Sequence, residues 1–334
     1  MLSSVVSKKK EKTPSEKTIQ DLMLRVEDII VAESALSRVP LTQQIIKHII
    51  HAGGKRIRPL LCVVSSSLFG PVREETCLAA AALEFIHTAT LLHDDVVDDG
   101  EKRRGKSTAN IVWGNKSAIL TGDHLFARAF SLLVRTSHIP TLATVSHASE
   151  ILAEGEILQL SLKNQIPSRQ DYFDIINAKT ASLFSAACEA GALLAGATPE
   201  YVQILKAFGQ DFGLIFQIID DILDYESHFD AMGKDLGHDF FEGKYTLPLI
   251  LAFEQADDQE KKHIKEIMAP NALRDYDDFC GILRLIEKYE TIAAARDFAQ
   301  KLSEANKQRL CDLPQAPSLA LLKDLSAKAL HRMS

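Results

Sequence analysis

The stretch AAAALEFIHTATLLHDDVVDDGEKRRGK (residues 79–106) carries the reading of both the fold and the chemistry. From Ala79 to Leu92 it is apolar almost all round a helical wheel, which places the helix at the centre of a bundle rather than on its surface. Asp94, Asp95, Asp98 and Asp99 then close that helix. Asp94 and Asp98 fall about 40° apart on one face and about 6 Å apart along the axis. Like charges at that spacing repel unless a cation sits between them. Paired carboxylates suit a hard divalent ion, and Mg2+ characteristically takes one or two of them together with substrate phosphates. Alone, though, a DDxxD pattern fits a solvated helix end more readily than a metal site.

A second copy changes the balance. FQIIDDILD (216–224) repeats the design with Asp220, Asp221 and Asp224 at the end of another apolar helix. Carboxylates in so apolar a setting are expensive to bury unpaired. The simplest arrangement has the two helices facing each other across a bundle cavity with metal ions between them. Bases accompany both clusters. GGKRIRP (53–59) puts Lys55, Arg56 and Arg58 at a helix start, where backbone N–H groups and the helix dipole also favour anions. Lys102, Arg103, Arg104 and Lys106 follow the first cluster, and Lys179, Lys234 and Lys244 complete a set able to hold phosphate oxygens around Mg2+. The pattern points to a diphosphate substrate. His87, seven residues before Asp94, shares the acidic face. It reads either as a satisfied helix histidine or as a donor to a phosphate oxygen.

The rest of the chain is consistent with one large helical protein. Among its 334 residues, 45 acids against 38 bases give a net charge of −7, which leaves no basic excess for a nucleic-acid backbone. Gly 16 and Pro 11 are few for a turn-rich β protein. Apolar residues recur at helical spacing through Leu22–Leu36, Ile45–Ile50, and about 117–163, 170–195, 199–225 and 272–312, and alternating strand-like runs are missing. Five scattered cysteines without a CxxC pair suggest neither a disulfide framework nor a thiolate metal site. No run of 18 uninterrupted apolar residues marks a transmembrane segment. Residues 1–17 read as a flexible basic tail in the cytoplasm, and 18–334 as a single all-α domain, a large bundle with a central cavity.

These motifs resemble the all-trans polyprenyl diphosphate synthases, from about Leu22 to the C-terminal helix. GGKRIRP, EFIHTATLLHDDVVDD, RRGK, GDHLFARAF (122–130), EGEILQL (154–160), Lys179-Thr180, FQIIDDILDY, and GKDLGHDF followed by EGKYTLPL carry the likeness in order. His238 departs from the pattern, where relatives often carry an acid. The resemblance implies that Asp94 and Asp98 bind two Mg2+ ions on the allylic diphosphate and that Asp220 leads the binding of a third. Asp95, Asp221, Asp224, Arg103 and Lys179 join them in the catalytic set. Lys55, Arg58, His87 and Arg104 would hold isopentenyl diphosphate. Arg103, Lys179, Thr180, Gln217, Lys234 and Lys244 would hold the allylic diphosphate.

The resemblance also implies the product. Short-chain members plug the tunnel with aromatic residues one turn below the first acid, where this chain has the small Ala89 and Thr90; small residues here also permit close helix packing. An open tunnel with Val145 at its floor would give a long all-trans chain, about C40–C50, as in a ubiquinone side chain. A homodimer is expected, with peripheral membrane association through the apolar product. Alternatives are a farnesyl or geranylgeranyl synthase and a regulatory subunit of a heteromeric synthase, although the latter is expected to lose carboxylates that this chain keeps. A terpene cyclase is opposed by DDILD (220–224) and by the Lys55–Arg58 pair, and an HD-type phosphohydrolase by the lack of further His ligands.

Overall fold

A computed structural model describes residues 14–162, 165–226, 236–269 and 272–330. The chain is all-α and divides into two compact units. The first gathers residues 14–147, 186–206 and 313–322; the second gathers 148–162, 165–185, 207–226, 236–269, 272–312 and 323–330.

The first unit is built around α4 (Glu74–Val97), which packs against α1 (Pro14–Ser34), α3 (Ile57–Ser67) and α6 (Asn115–Arg135). α2 (Pro40–His51) and the short α5 (Ala109–Trp113) complete its N-terminal part. The alanine and leucine content of α4 favours the helix, Glu74 and Glu75 in its first turn suit the positive end of the dipole, and its residues from Thr76 to Ile86 are all buried. By length and composition this helix could cross a membrane, but 78% of its apolar window is buried inside the protein, which is what a core helix requires. α1 begins at Pro14, within the stretch 1–17 expected as a tail; residues 1–13 lie outside the described residues. Among the described residues the strands are β1 (Lys102–Arg103) and β2 (Lys106–Ser107), an antiparallel pair joined through Arg104 and Gly105, both at positive φ. Two residues per strand are too few for any alternation to register in the sequence.

In the second unit, α7 (Ile139–Ser161) supplies residues from Ala148 onward, and α8 (Arg169–Ile176) runs through a π-helical turn (Asn177–Ala181) into α9 (Ser182–Leu194), of which the residues up to Ser185 belong to this unit and the rest to the first. α10 (Pro199–Glu226) contributes from Ala207, followed by α11 (His238–Phe241), α12 (Leu247–Gln255), α13 (Asp258–Ile267), α14 (Tyr276–Lys288), α15 (Thr291–Arg309) and, after a 3-10 turn, α16 (Pro317–Leu330). Local chemistry fixes several starts: reciprocal capping boxes pair Ser168 with Asp171, Asp257 with Glu260 and Asp275 with Asp278. Tyr225, Phe240 and Phe279 centre an aromatic core, with Phe279 at 6.2 Å from Tyr225 and 5.4 Å from Phe240.

The π turn is wedged between two glycines. A Cβ at Gly155 of α7 would lie 2.7 Å from Ala178 Cβ, and one at Gly213 of α10 would lie 2.5 Å from Ala181 Cα. Gly213→Ala should therefore reverse the usual sign of a helical Gly-to-Ala change. Instead of gaining about 0.5–1 kcal/mol, the protein is expected to lose about 1–3 kcal/mol, measured by urea unfolding at constant m-value.

Candidate active site

Both acid clusters stand at the C-terminal ends of apolar helices, where the helix's own partial negative charge adds to theirs. α4 ends at Val97 with Asp98 as its C-cap, whose N–H donates to the Asp94 carbonyl at 2.8 Å, and Asp99 follows at φ +50. Asp94 and Asp98 are partly buried and Asp95 is buried. Asp95 is satisfied inside the protein: Arg103 Nε donates to its Oδ1 at 2.8 Å, and its carbonyl accepts from Asn110 Nδ2 at 3.0 Å and Gly100 N–H at 2.9 Å. Burial raises the Asp95 carboxyl above the usual carboxylate range, against the pull of Arg103. Asp95 therefore anchors the hairpin that presents Arg103 and Arg104.

The basic side of this unit is organised by Glu84, a buried acid in α4 that sequence reading passed over. Arg56 Nη1 donates to Glu84 at 2.7 Å and Arg56 Nε to Glu27 at 3.3 Å. Losing one partner of such a buried pair costs about 3–5 kcal/mol. An acid alone in an apolar helix is itself the sequence signal for such a partner. Arg56 at φ +50 is the N-cap of α3 and gives it no side-chain cap, so the expected helix start at Ile57 follows directly on the bases. A Cβ at Gly54 would lie 3.1 Å from Arg56 Nη1 and 3.2 Å from Arg104 Nη1, so a side chain there would crowd both guanidinium groups. Lys55 is exposed, and burial pulls partly exposed Arg58 down to about 10, still protonated at neutral pH. His87 lies within this field: desolvation first, then Arg58, Arg103, Arg104 and Arg56, hold its imidazole well below the ordinary value. Thr90 Oγ1 donates to the His87 carbonyl at 2.8 Å, Ala89 is fully buried beside it, and Val145 of α7 is fully buried in the same unit.

In the second unit, the expected allylic-diphosphate residues form a chain of hydrogen bonds. Thr180 Oγ1 donates to Gln217 Oε1 at 3.0 Å, and Gln217 Nε2 donates to Asp221 Oδ1 at 2.7 Å. The other Asp221 oxygen accepts from Tyr172 Oη at 2.6 Å. Tyr172 was missed; it stands seven residues before Lys179, and only tertiary packing brings it to an acid on α10. Burial, then Asp239, push the Asp221 carboxyl up. Lys179, in the π turn, donates to Glu156 at 2.8 Å and Gln159 at 3.3 Å, both from the EGEILQL segment. Asp220 is exposed, Asp224 is partly buried, and Lys244 pairs with Glu242 at 2.6 Å. Asp239 adds a further carboxylate near Asp224 and Asp220 that sequence reading did not name as a site residue. Lys234 lies outside the described residues.

The donor set fits Mg2+ in a specific way. Among the described residues, no three His, Cys, Asp or Glu side chains are arranged to hold a metal ion by themselves. A closed protein cage is not what Mg2+ needs; carboxylates at negative helix ends, with substrate phosphate oxygens completing the shell, are.

The Polyprenyl synthetase family model matches residues 39–286, a span that draws on both units. The chain is 39% identical over 308 residues to an all-trans-nonaprenyl-diphosphate synthase (geranyl-diphosphate specific) from Rhodobacter capsulatus, covering 92% of this chain and 94% of that one. It is 41% identical over 236 residues to an octaprenyl diphosphate synthase from Escherichia coli (strain K12), covering 70% and 73%. Its structure is similar, with a TM-score of 0.89 and 38% identity over 95% of this chain and 97% of that one, to a polyprenyl synthase from Caulobacter crescentus CB15 complexed with calcium and isoprenyl diphosphate.

A neutral His87 has a measurable consequence. Its 15N NMR shifts should report an uncharged imidazole at pH 6. The unfolded chain binds that proton near pH 6.5 and the folded one does not, so stability is expected to fall as pH drops below 6.5. The His87→Asn variant should lose part of that dependence in urea unfolding.

Proposed function

Because this chain belongs to the polyprenyl synthetase family, we propose that it condenses isopentenyl diphosphate repeatedly onto an allylic diphosphate to make a long all-trans polyprenyl diphosphate of about C40–C50. The chain is a trans-prenyltransferase. The observation that carries the reading is that each unit holds both kinds of group: Asp94 and Asp98 end α4 in the unit that carries Arg58, Arg103 and Arg104, and Asp220 lies near the end of α10 in the unit that carries Lys179 and Lys244. The family match through both units supports 18–334 as one domain. We read the enzyme as a cytoplasmic homodimer, delivering an apolar product suited to membranes and to a ubiquinone side chain.

Mg2+ dependence is general in the family; Asp94, Asp98 and Asp220 would hold the ions, three in this proposal. When bound, Mg2+ supplies Lewis-acid neutralisation of the diphosphate. The protein's own residues do the rest. Arg103, Lys179, Thr180, Gln217, Lys234 and Lys244 hold the allylic diphosphate, and their positive charges and donors oppose the charge that grows on it as its carbon–oxygen bond breaks. Lys55, Arg58, Arg104 and the neutral imidazole of His87 hold isopentenyl diphosphate, with His87 offering a single N–H. The double bond of isopentenyl diphosphate attacks the allylic cation. A proton then leaves to the released diphosphate, and the chain is five carbons longer. Apolar walls keep water from the cation. Ala89 and Thr90, small and buried on α4, leave the growing chain room to extend.

Incubation of the purified protein with Mg2+, labelled isopentenyl diphosphate and farnesyl diphosphate should give one discrete product at about C40–C50. Products stopping at C20 would keep the chemistry and overturn the long-chain reading. EDTA should abolish incorporation, and Asp94→Ala should cost about a hundredfold or more in kcat. Ala89→Phe and Val145→Phe are each expected to shift the product to shorter chains, read by chromatography after dephosphorylation. An unchanged product with Val145→Phe would remove that residue from the tunnel floor.

A further inference from the structure

Three consecutive backbone N–H groups converge on a single residue of the second acid cluster. Gly237 N–H donates to the Asp224 carbonyl at 3.1 Å, His238 N–H to Oδ1 at 3.0 Å and Asp239 N–H to Oδ2 at 3.0 Å. These are the opening donors of α11, whose N-cap, Gly237, has no side chain to satisfy them. Asp224 caps that helix from α10. Both of its carboxylate oxygens are already committed to N–H donors, which leaves a hard ion only their remaining lone pairs. Asp220, four residues earlier on the same helix, is exposed.

The turn so held leads straight to Lys244. Lys244 N–H donates to the Asp239 carbonyl at 2.8 Å, and Glu242 N–H donates to the His238 carbonyl at 3.0 Å. Glu242 in turn holds the Lys244 ammonium at 2.6 Å. On its other side the turn is pinned by the aromatic core. Phe240 is fully buried, and Gly237, at φ +72, has Phe279 Cε2 2.5 Å from where a Cβ would stand. Backbone sign and ring contact together exclude any side chain at position 237. The segment is thus clamped between Phe279 and Asp224, and the Asp224 side is made only of hydrogen bonds.

We propose that Asp224 is a positioning residue, which ties the Gly237–Asp239 turn to α10 and thereby sets the position of Lys244, and that it is not itself a metal ligand. The functional half rests on reading Lys244 as a ligand of the allylic diphosphate. The division of labour within DDILD is then one outward acid for metal (Asp220), one held by Tyr172 and Gln217 (Asp221) and one spent on the backbone of the following turn (Asp224).

The test joins amide hydrogen exchange of the ligand-free full chain to steady-state kinetics of Asp224→Ala, Asp224→Asn, Lys244→Ala and the Asp224→Ala/Lys244→Ala pair. Exchange at residues 237–244 should quicken about tenfold or more in Asp224→Ala, the scale set by losing a charge-assisted hydrogen bond, and less in Asp224→Asn, which keeps one acceptor oxygen. KM for the allylic diphosphate should rise as it does in Lys244→Ala, the double variant should be no worse than the poorer single one, and half-saturation by Mg2+ should stay within about twofold of the parent. Unchanged exchange across 237–244, or a Mg2+ requirement that rises as in Asp220→Ala, overturns the proposal. Quickened exchange beside a Lys244→Ala variant of parental KM would instead take Lys244 out of the substrate site and overturn the functional half alone. Asp224→Asn keeps the comparison open if the alanine variant fails to fold.

Discussion

A carboxylate at the C-terminal end of a buried helix is opposed twice, by the negative end of the helix dipole and by any acid one turn away. This protein accepts that double opposition at the end of α4 and again at the end of α10. Much of the surrounding structure makes sense as its consequence. Asp95 is relieved by Arg103, Asp221 by Tyr172 and Gln217, and Asp224 by the start of α11. Each relief also fixes something to which a chemical role is proposed: a hairpin with two arginines, a π turn with Lys179 and Thr180, a turn leading to Lys244. Asp94, Asp98 and Asp220 are the acids proposed to hold metal, where a divalent ion and a diphosphate together would offset the opposition.

The bases are arranged by the same logic in reverse. Arginines gathered around His87 repel each other, and the cluster holds because Glu84 and Glu27 lie beneath Arg56. A buried acid thus supports the cationic cluster around His87. The imidazole in that field stays neutral, so in its proposed role it would meet a phosphate oxygen as a donor without adding one more positive charge to an already crowded set.

Much of this was legible in the sequence because the signals were local. The apolar helix before Asp94, the repeat of the acid pattern at Asp220, the helix start after Gly53-Gly54 and the breaks at Pro140 and Pro199 all follow from periodicity and residue type. What was not legible depends on partners far away in the chain. NAKTA (177–181) contains nothing that calls for a π turn; Gly155 and Gly213 close in on it from two other helices. Tyr172 finds Asp221 across 49 positions, and the bond between them has no trace in either neighbourhood. Glu84 is the instructive miss, since a lone acid among alanines and leucines already demands a cation, and the sequence offers one at Arg56.

Two of the arginines that shape the basic pocket, Arg56 and Arg104, hold left-handed backbone conformations at φ +50 and +52. Such positions cost about 1–3 kcal/mol each in a residue with a Cβ, and glycine would occupy them without that cost. At Arg56 the loss of the ion pair with Glu84 outweighs that gain, so screening for heat-resistant variants would be drawn to Arg104, and under the role proposed for Arg104 the survivors would be sturdier proteins with a weakened grip on isopentenyl diphosphate. Under that proposed role, thermal hardiness and turnover compete at the Arg104 peptide unit, so a scheme that improves one should leave it untouched and look elsewhere in the chain.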